Sequence, residues 1–131
     1  MMMLSWDERG SLAPVSSKEE LDRLLDDVSG QAADGGSPCM ATMLDADDPE
    51  GPALSIGCGA SVSVAVWQLP SAPTSLVSHG EAEREPLVFS YCGEDATYDP
   101  PAAIPNAQAR EAMRAFYATG TRPDTFAWRE P

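Results

Sequence analysis

The sequence predicts an α+β domain, an antiparallel β-sheet of about five to seven strands with two helices packed on one face. Three observations carry that expectation. Two segments repeat apolar residues at helical spacing, the stretch between them breaks into short β-prone runs, and those runs are divided by Asp-, Pro- or Gly-bearing turns. Several hairpins in succession imply antiparallel pairing, and helices outside such a sheet pack on a face of it.

In chain order, residues 2–6 suit a short strand. Ser16 and Ser17 are each followed three residues later by Glu19 and Glu20, a capping-box pattern, and Leu21, Leu24, Leu25 and Val28 complete one apolar helical face. A first helix over residues 17–28 follows, with an acidic outer side on which Glu19 can pair with Arg23 while Asp22 and Asp26 repel at the same spacing. Residues 30–38, rich in Gly, Ala and Ser, read as a connector. Strands are expected at 39–44, 53–58, 62–68, 75–77 and 87–91, the third with Val62, Val64 and Val66 alternating with Ser61, Ser63, Ala65 and Trp67.

The last quarter holds the second helix. Ala109, Ala112, Met113 and Phe116 fall at i, i+3, i+4 and i+7. Pro105 and Asn106 suit its start, Gly120 the left-handed residue past its end, and Pro123 blocks continuation. Thr125-Phe126-Ala127-Trp128 then reads as a final short strand. Phe116 and Tyr117 are expected in the core, and the Trp128 indole is expected to find a carbonyl near the Arg122-Pro123 turn.

Length and composition set outer bounds. At 131 residues and 43% hydrophobic content the chain is expected to fold as one domain, residues 1–131, rather than to be disordered. No run approaches the ~18 apolar residues of a membrane span, and Met1-Met2-Met3-Leu4 soon meets Trp6-Asp7-Glu8, so a cytoplasmic location without a membrane partner is expected. Cys39, Cys58 and Cys92 are odd in number and far apart in sequence, which argues against a disulfide framework and for reduced, mostly buried thiols. With His79 the only histidine, no zinc-ligand spacing exists, and neither a metal nor another cofactor is expected.

Catalytic patterns are missing. Gly57-Cys58-Gly59 lacks the third glycine and the helix of a dinucleotide loop and reads as a bulge or turn. Ser78 and His79 are adjacent, so in an extended segment their side chains point apart, and His79 reads as a surface loop residue. Asp47 and Asp48 in a solvated loop lack the unequal environments that acid/base pairs need. No catalytic residue is assigned.

The charge is more informative. Against 21 acidic residues stand 8 basic ones, of which only Lys18 is a lysine, for a net −13. The acids cluster on the first helix, in one loop as Asp45, Asp47, Asp48 and Glu50, and in another as Glu81, Glu83 and Glu85. Such a chain repels nucleic acid and attracts basic proteins. Trp67, at the end of a strand, is a candidate anchor for a protein partner.

The ending also carries a family likeness. Ile104-Pro105, a short Ala- and aromatic-rich helix, the turn Thr119-Gly120-Thr121-Arg122-Pro123 and then Trp128 follow Leu54-Ser55-Ile56-Gly57, Trp67 and Pro86-Leu87-Val88-Phe89-Ser90-Tyr91. In order and spacing this resembles the Imm-one family of bacterial immunity proteins, over about residues 54–128. The resemblance implies an inhibitor rather than an enzyme, encoded beside a toxin of a polymorphic toxin system, the partner often being a toxin of the nucleic-acid deaminase class. Such a toxin needs a basic groove for its substrate. The expected mechanism is occlusion of that groove by acidic loops, with Asp45, Asp47, Asp48 and Glu50 first and Glu81, Glu83 and Glu85 second. Two other classes stay open at this point: an acidic adaptor for another basic protein, with no toxin involved, and a small carboxylate enzyme.

Overall fold

The computed structural model describes residues 1–6, 12–35, 37–72, 75–80, 84–91 and 94–130. In chain order these form β1 (Met2–Ser5), β2 (Leu12–Pro14), α1 (Lys18–Gly35), β3 (Cys39–Asp45), β4 (Ala53–Cys58), β5 (Ala65–Gln68), β6 (Leu76–His79), β7 (Leu87–Tyr91) and β8 (Glu94–Tyr98). A 3-10 turn (Pro100–Ala102), α2 (Asn106–Thr119) and β9 (Ala127–Arg129) complete the chain. Nine strands make one open sheet in the order β2-β1-β3-β4-β5-β6-β9, all pairs along it antiparallel. The β7–β8 hairpin joins through a single parallel bridge, Cys39 to Ser90, because β1 already occupies the Thr42–Asp45 part of the same β3 edge. The α+β expectation holds, with two strands more than the upper count, β2 and β8.

Strand periodicity explains the two cores. Ala41 and Met43 of β3, Leu54, Ile56 and Cys58 of β4, and Ala65 of β5 point to one face, where they meet Leu21, Leu25 and Val28 of α1 and Ala109, Ala112, Met113 and Phe116 of α2. Both helices therefore lie on that face. Met40, Val64, Val66 and Val77 point the other way, into a second core with Leu87 and Phe89 of β7 and with Ala102 and Ala103. Covering on both sides corrects the one-sided alternation expected for residues 61–67, where Ser63, Val64, Ala65 and Val66 are all buried. β5 also starts later than expected, since Ser63 bonds across to Ile104, donating at 2.8 Å and accepting at 2.9 Å.

The helix ends show what the caps do. Ser17 Oγ accepts the Glu20 N–H at 3.1 Å, and Glu20 Oε1 accepts both the N–H and the hydroxyl of Ser16 at 3.0 Å, so the capping box forms across two serines. Gly120 takes φ 71° and donates its N–H to Phe116 O. The expected connector at residues 30–38 is a correction: α1 runs on to Gly35 because Ala32 extends the apolar face and packs where a Cβ on Gly59 would lie 2.5 Å from its own. Arg23 pairs with Glu20, not Glu19, at 3.6 Å.

Candidate functional site

The acidic loop caps the hairpin at the centre of the sheet. Two tight turns shape it, Asp48 N–H to Asp45 O at 3.1 Å and Gly51 N–H to Asp48 O at 3.0 Å. The Asp45 carboxylate also accepts the Asp47 N–H at 3.0 Å, holding the first turn from within. Strand β1 runs beside β3, and this brings the Met1 ammonium to Asp45 Oδ1 at 2.7 Å and onto the Asp47 carboxylate. That contact and then the Asp47 N–H hold the Asp45 carboxyl below the usual carboxylate range, and the two aspartates raise the Met1 amine. Asp48 and Glu50 are exposed and make no ion pair among the described residues.

Beside this loop lies a cavity of about 400 Å³, walled by Leu44, Asp48, Pro49 and Gly51 on one side and by Gln68, Leu69 and Pro70 on the other. Leu69 is 38% exposed. Apolar walls with one carboxylate at the rim suit a long cationic side chain, whose stem packs while its head stays paired.

The other residues expected at the interface fall elsewhere. Trp67 is half-buried on β5 and meets Phe116 edge-on, ring centroids 5.4 Å apart at 87°, so much of its ring lies against α2. Glu85 is exposed on the connection leaving β6 at the end of the sheet opposite the β3–β4 turn. Glu81 and Glu83 lie outside the described residues, as does Cys92. Glu85 and the β3–β4 loop thus lie at opposite ends of the sheet.

The acids on α1 have a different use, one that reading each helix alone does not show. Arg114 Nε donates to Asp22 Oδ1 at 2.8 Å and Arg110 Nη1 to Asp26 Oδ1 at 2.6 Å, clasping α2 to α1. The Arg114 bond, chiefly, holds the Asp22 carboxyl below its ordinary range. The legible signal was the matched four-residue spacing of Asp22 with Asp26 and of Arg110 with Arg114. The expected Asp–Asp repulsion is thereby offset across the helix pair.

Ser78 is tied into the core. It is buried on β6, where its Oγ accepts the Ala65 N–H at 3.0 Å and donates to Ala102 O at 2.6 Å. His79 is on that strand rather than in a loop, which corrects the expectation. Gly57 and Cys58 lie within β4, Gly57 facing Phe89, and the expected turn begins only at Gly59, which takes φ 92° just past the strand. Trp128 Nε1 donates to Pro123 O at 2.7 Å, as the ending predicted. Among the described residues no three His, Cys, Asp or Glu gather as a metal site, and no helix is long and apolar enough to cross a membrane.

The family model described as Immunity protein Imm1 matches residues 9–130, nearly the whole chain. It takes in the segment that carried the resemblance and most of the chain before it. No curated protein matches.

Proposed function

The chain belongs to the Imm1 family of immunity proteins, and on that premise we propose that it neutralises its cognate toxin by setting the β3–β4 loop into a basic substrate groove. The toxin is of the nucleic-acid deaminase class, and the two meet in the cytoplasm, where the substrate is. What supports this reading is the loop itself: four carboxylates on a turn held by the two central strands, beside a cavity of about 400 Å³. A groove that binds phosphates must carry arginines or lysines. Carboxylates standing in place of phosphates close it, and a long basic side chain fills the cavity between Pro49 and Leu69.

Asp48 and Glu50 are the first choice for direct contact, since Asp45 and Asp47 already hold the Met1 amine. The test is co-expression with the neighbouring toxin gene, followed by co-purification and a growth assay. Asp48→Asn with Glu50→Gln is expected to leave folding within about 0.5 kcal/mol and to weaken toxin binding by about 2 kcal/mol. A folded double variant that protects cells and binds like the parent would move the interface off this loop, first to Glu85 and the segment before it.

A further inference from the structure

Two of the cysteines, nineteen positions apart in sequence, are brought face to face. Cys39 opens β3 and Cys58 closes β4, and the antiparallel register sets them directly opposite each other. Both belong to the core on the helix face, so their side chains leave the sheet on the same side. Nothing in their spacing along the chain points to this pairing.

Opposed residues on antiparallel strands have Cα atoms about 4.5–5.5 Å apart, within the span a disulfide bridges. Gly57 donates to Val64 O across the β4–β5 edge, so by alternation the Cys58 backbone turns toward β3, the wider of the two pair types. Closing that pair needs Cβ atoms at about 3.5–4.5 Å, hence a shift of roughly 1 Å. Both residues sit where the β3–β4 ladder stops, and Cys39 also pairs with Ser90 of β7, a bridge that must accommodate the shift. A bridge closed under mild strain is also one that reductants reopen.

We infer that Cys39 and Cys58 form a reversible cross-strand disulfide when the protein meets a hydroperoxide, closing the β3–β4 hairpin at its base. Cys39 is half-exposed and Cys58 buried, its thiol pushed up to about 12 by burial first and by Cys39 second. Cys39 therefore reacts first. Its sulfur takes one oxygen from the hydroperoxide, giving a sulfenic acid and, from hydrogen peroxide, one water. The Cys58 sulfur then attacks the Cys39 sulfur, the S–O bond breaks, and the departing hydroxyl leaves with the Cys58 proton as a second water. Two thiols are oxidised by two electrons and one peroxide is reduced. Cys58 also lines a cavity of about 370 Å³ beneath the two helices, which gives a small reductant a way in. The resulting ring, residues 39–58, carries the acidic loop at its far end.

The test treats the folded protein with hydrogen peroxide, alkylates remaining thiols after unfolding, and maps the peptides. The Cys39–Cys58 linked peptide should exceed any linkage to Cys92 by at least tenfold, and dithiothreitol should restore both thiols. Cys58→Ser should instead accumulate a dimedone-reactive sulfenic acid at Cys39, which the parent does not. A dominant linkage to Cys92, a link between two copies of the chain, or both thiols still alkylated after oxidation would overturn the inference. A second arm replaces Cys92 with Ser and should give the same linked peptide; its loss there would overturn the inference equally.

Discussion

Adding one methyl group at Gly57 tests whether the two faces of the sheet are packed as described. A Cβ at this position would lie 2.4, 2.5 and 2.9 Å from three ring atoms of Phe89. Carbon atoms rest about 3.5–4.0 Å apart, so the ring must retreat by about 1 Å, and it is 1% exposed within the second core. The ring shares that core with Met40, Val64, Val66 and Leu87, which leaves it little room to move. Overpacking of this kind costs about 1–3 kcal/mol, and the upper half of that range is expected because three ring atoms clash with a side chain that has nowhere to turn. Lower chain entropy in the unfolded state works the other way, by about 0.4–1 kcal/mol for Gly→Ala. Gly57→Ala should therefore destabilise by about 2 kcal/mol, read as a lower urea midpoint at unchanged m-value. Phe89→Leu removes the clashing atoms, so the double variant should lose at least about 1 kcal/mol less than the sum of the two single losses. Parental stability of Gly57→Ala, or strict additivity with Phe89→Leu, would refute the packing argument.

Three further outcomes are expected of the fold. Because Asp22 has its folded pKa lowered by Arg114, its contribution is complete above the ordinary carboxylate range and is lost as pH falls through the folded value. Asp22→Asn should thus narrow the gap between stability at neutral pH and at about pH 2–3, and urea titrations that keep the parental gap would show that the clasp does not contribute. A Cβ on Gly120 meets nothing within 4 Å while φ is 71°, so Gly120→Ala should cost only the left-handed backbone penalty, about 1 kcal/mol; a loss above about 2 kcal/mol would mean the helix end packs differently. Trp128→Phe keeps most of the ring but strips the donor from Pro123 O, for an expected loss of about 1 kcal/mol by thermal melting, and an unchanged melt would count against that hydrogen bond as a fastener of the C-terminal turn.

The second helix was legible because each of its signals is local. Pro105, the four-residue apolar face and Gly120 act within a turn or two, and all four apolar residues named from the pattern are buried. The end of α1 was not, because Gly30 and Gly35 have the composition of a connector while the contact that keeps the helix going, Ala32 against Gly59, joins residues far apart in the chain. β8 was hidden for the same reason: Glu94 and Asp95 are exposed and polar, and their strand conformation is defined by pairing with β7. At the candidate site, the turn and its charge were readable from sequence. The Met1 ammonium on Asp45 and Asp47 was not, since it follows from β1 lying beside β3.

That contact separates two roles of the acidic loop which charge counting alone merges. Long-range attraction depends on the summed field of the chain, net −13, and a local ion pair alters it little. Close docking depends on which carboxylates can still accept a hydrogen bond without losing one. Raising salt from about 50 to 500 mM shortens the Debye length to roughly 4 Å and should slow association with the toxin markedly in the parent. The Asp48→Asn and Glu50→Gln pair removes only two of the 21 acids, so its association rate should stay within a few-fold of the parent while its dissociation speeds up. Stopped-flow mixing gives the first rate and competitor-chase dissociation the second. Association that is flat with salt would remove steering, and a double variant slowed only in association would mean that these two carboxylates act at a distance and the docked surface lies elsewhere.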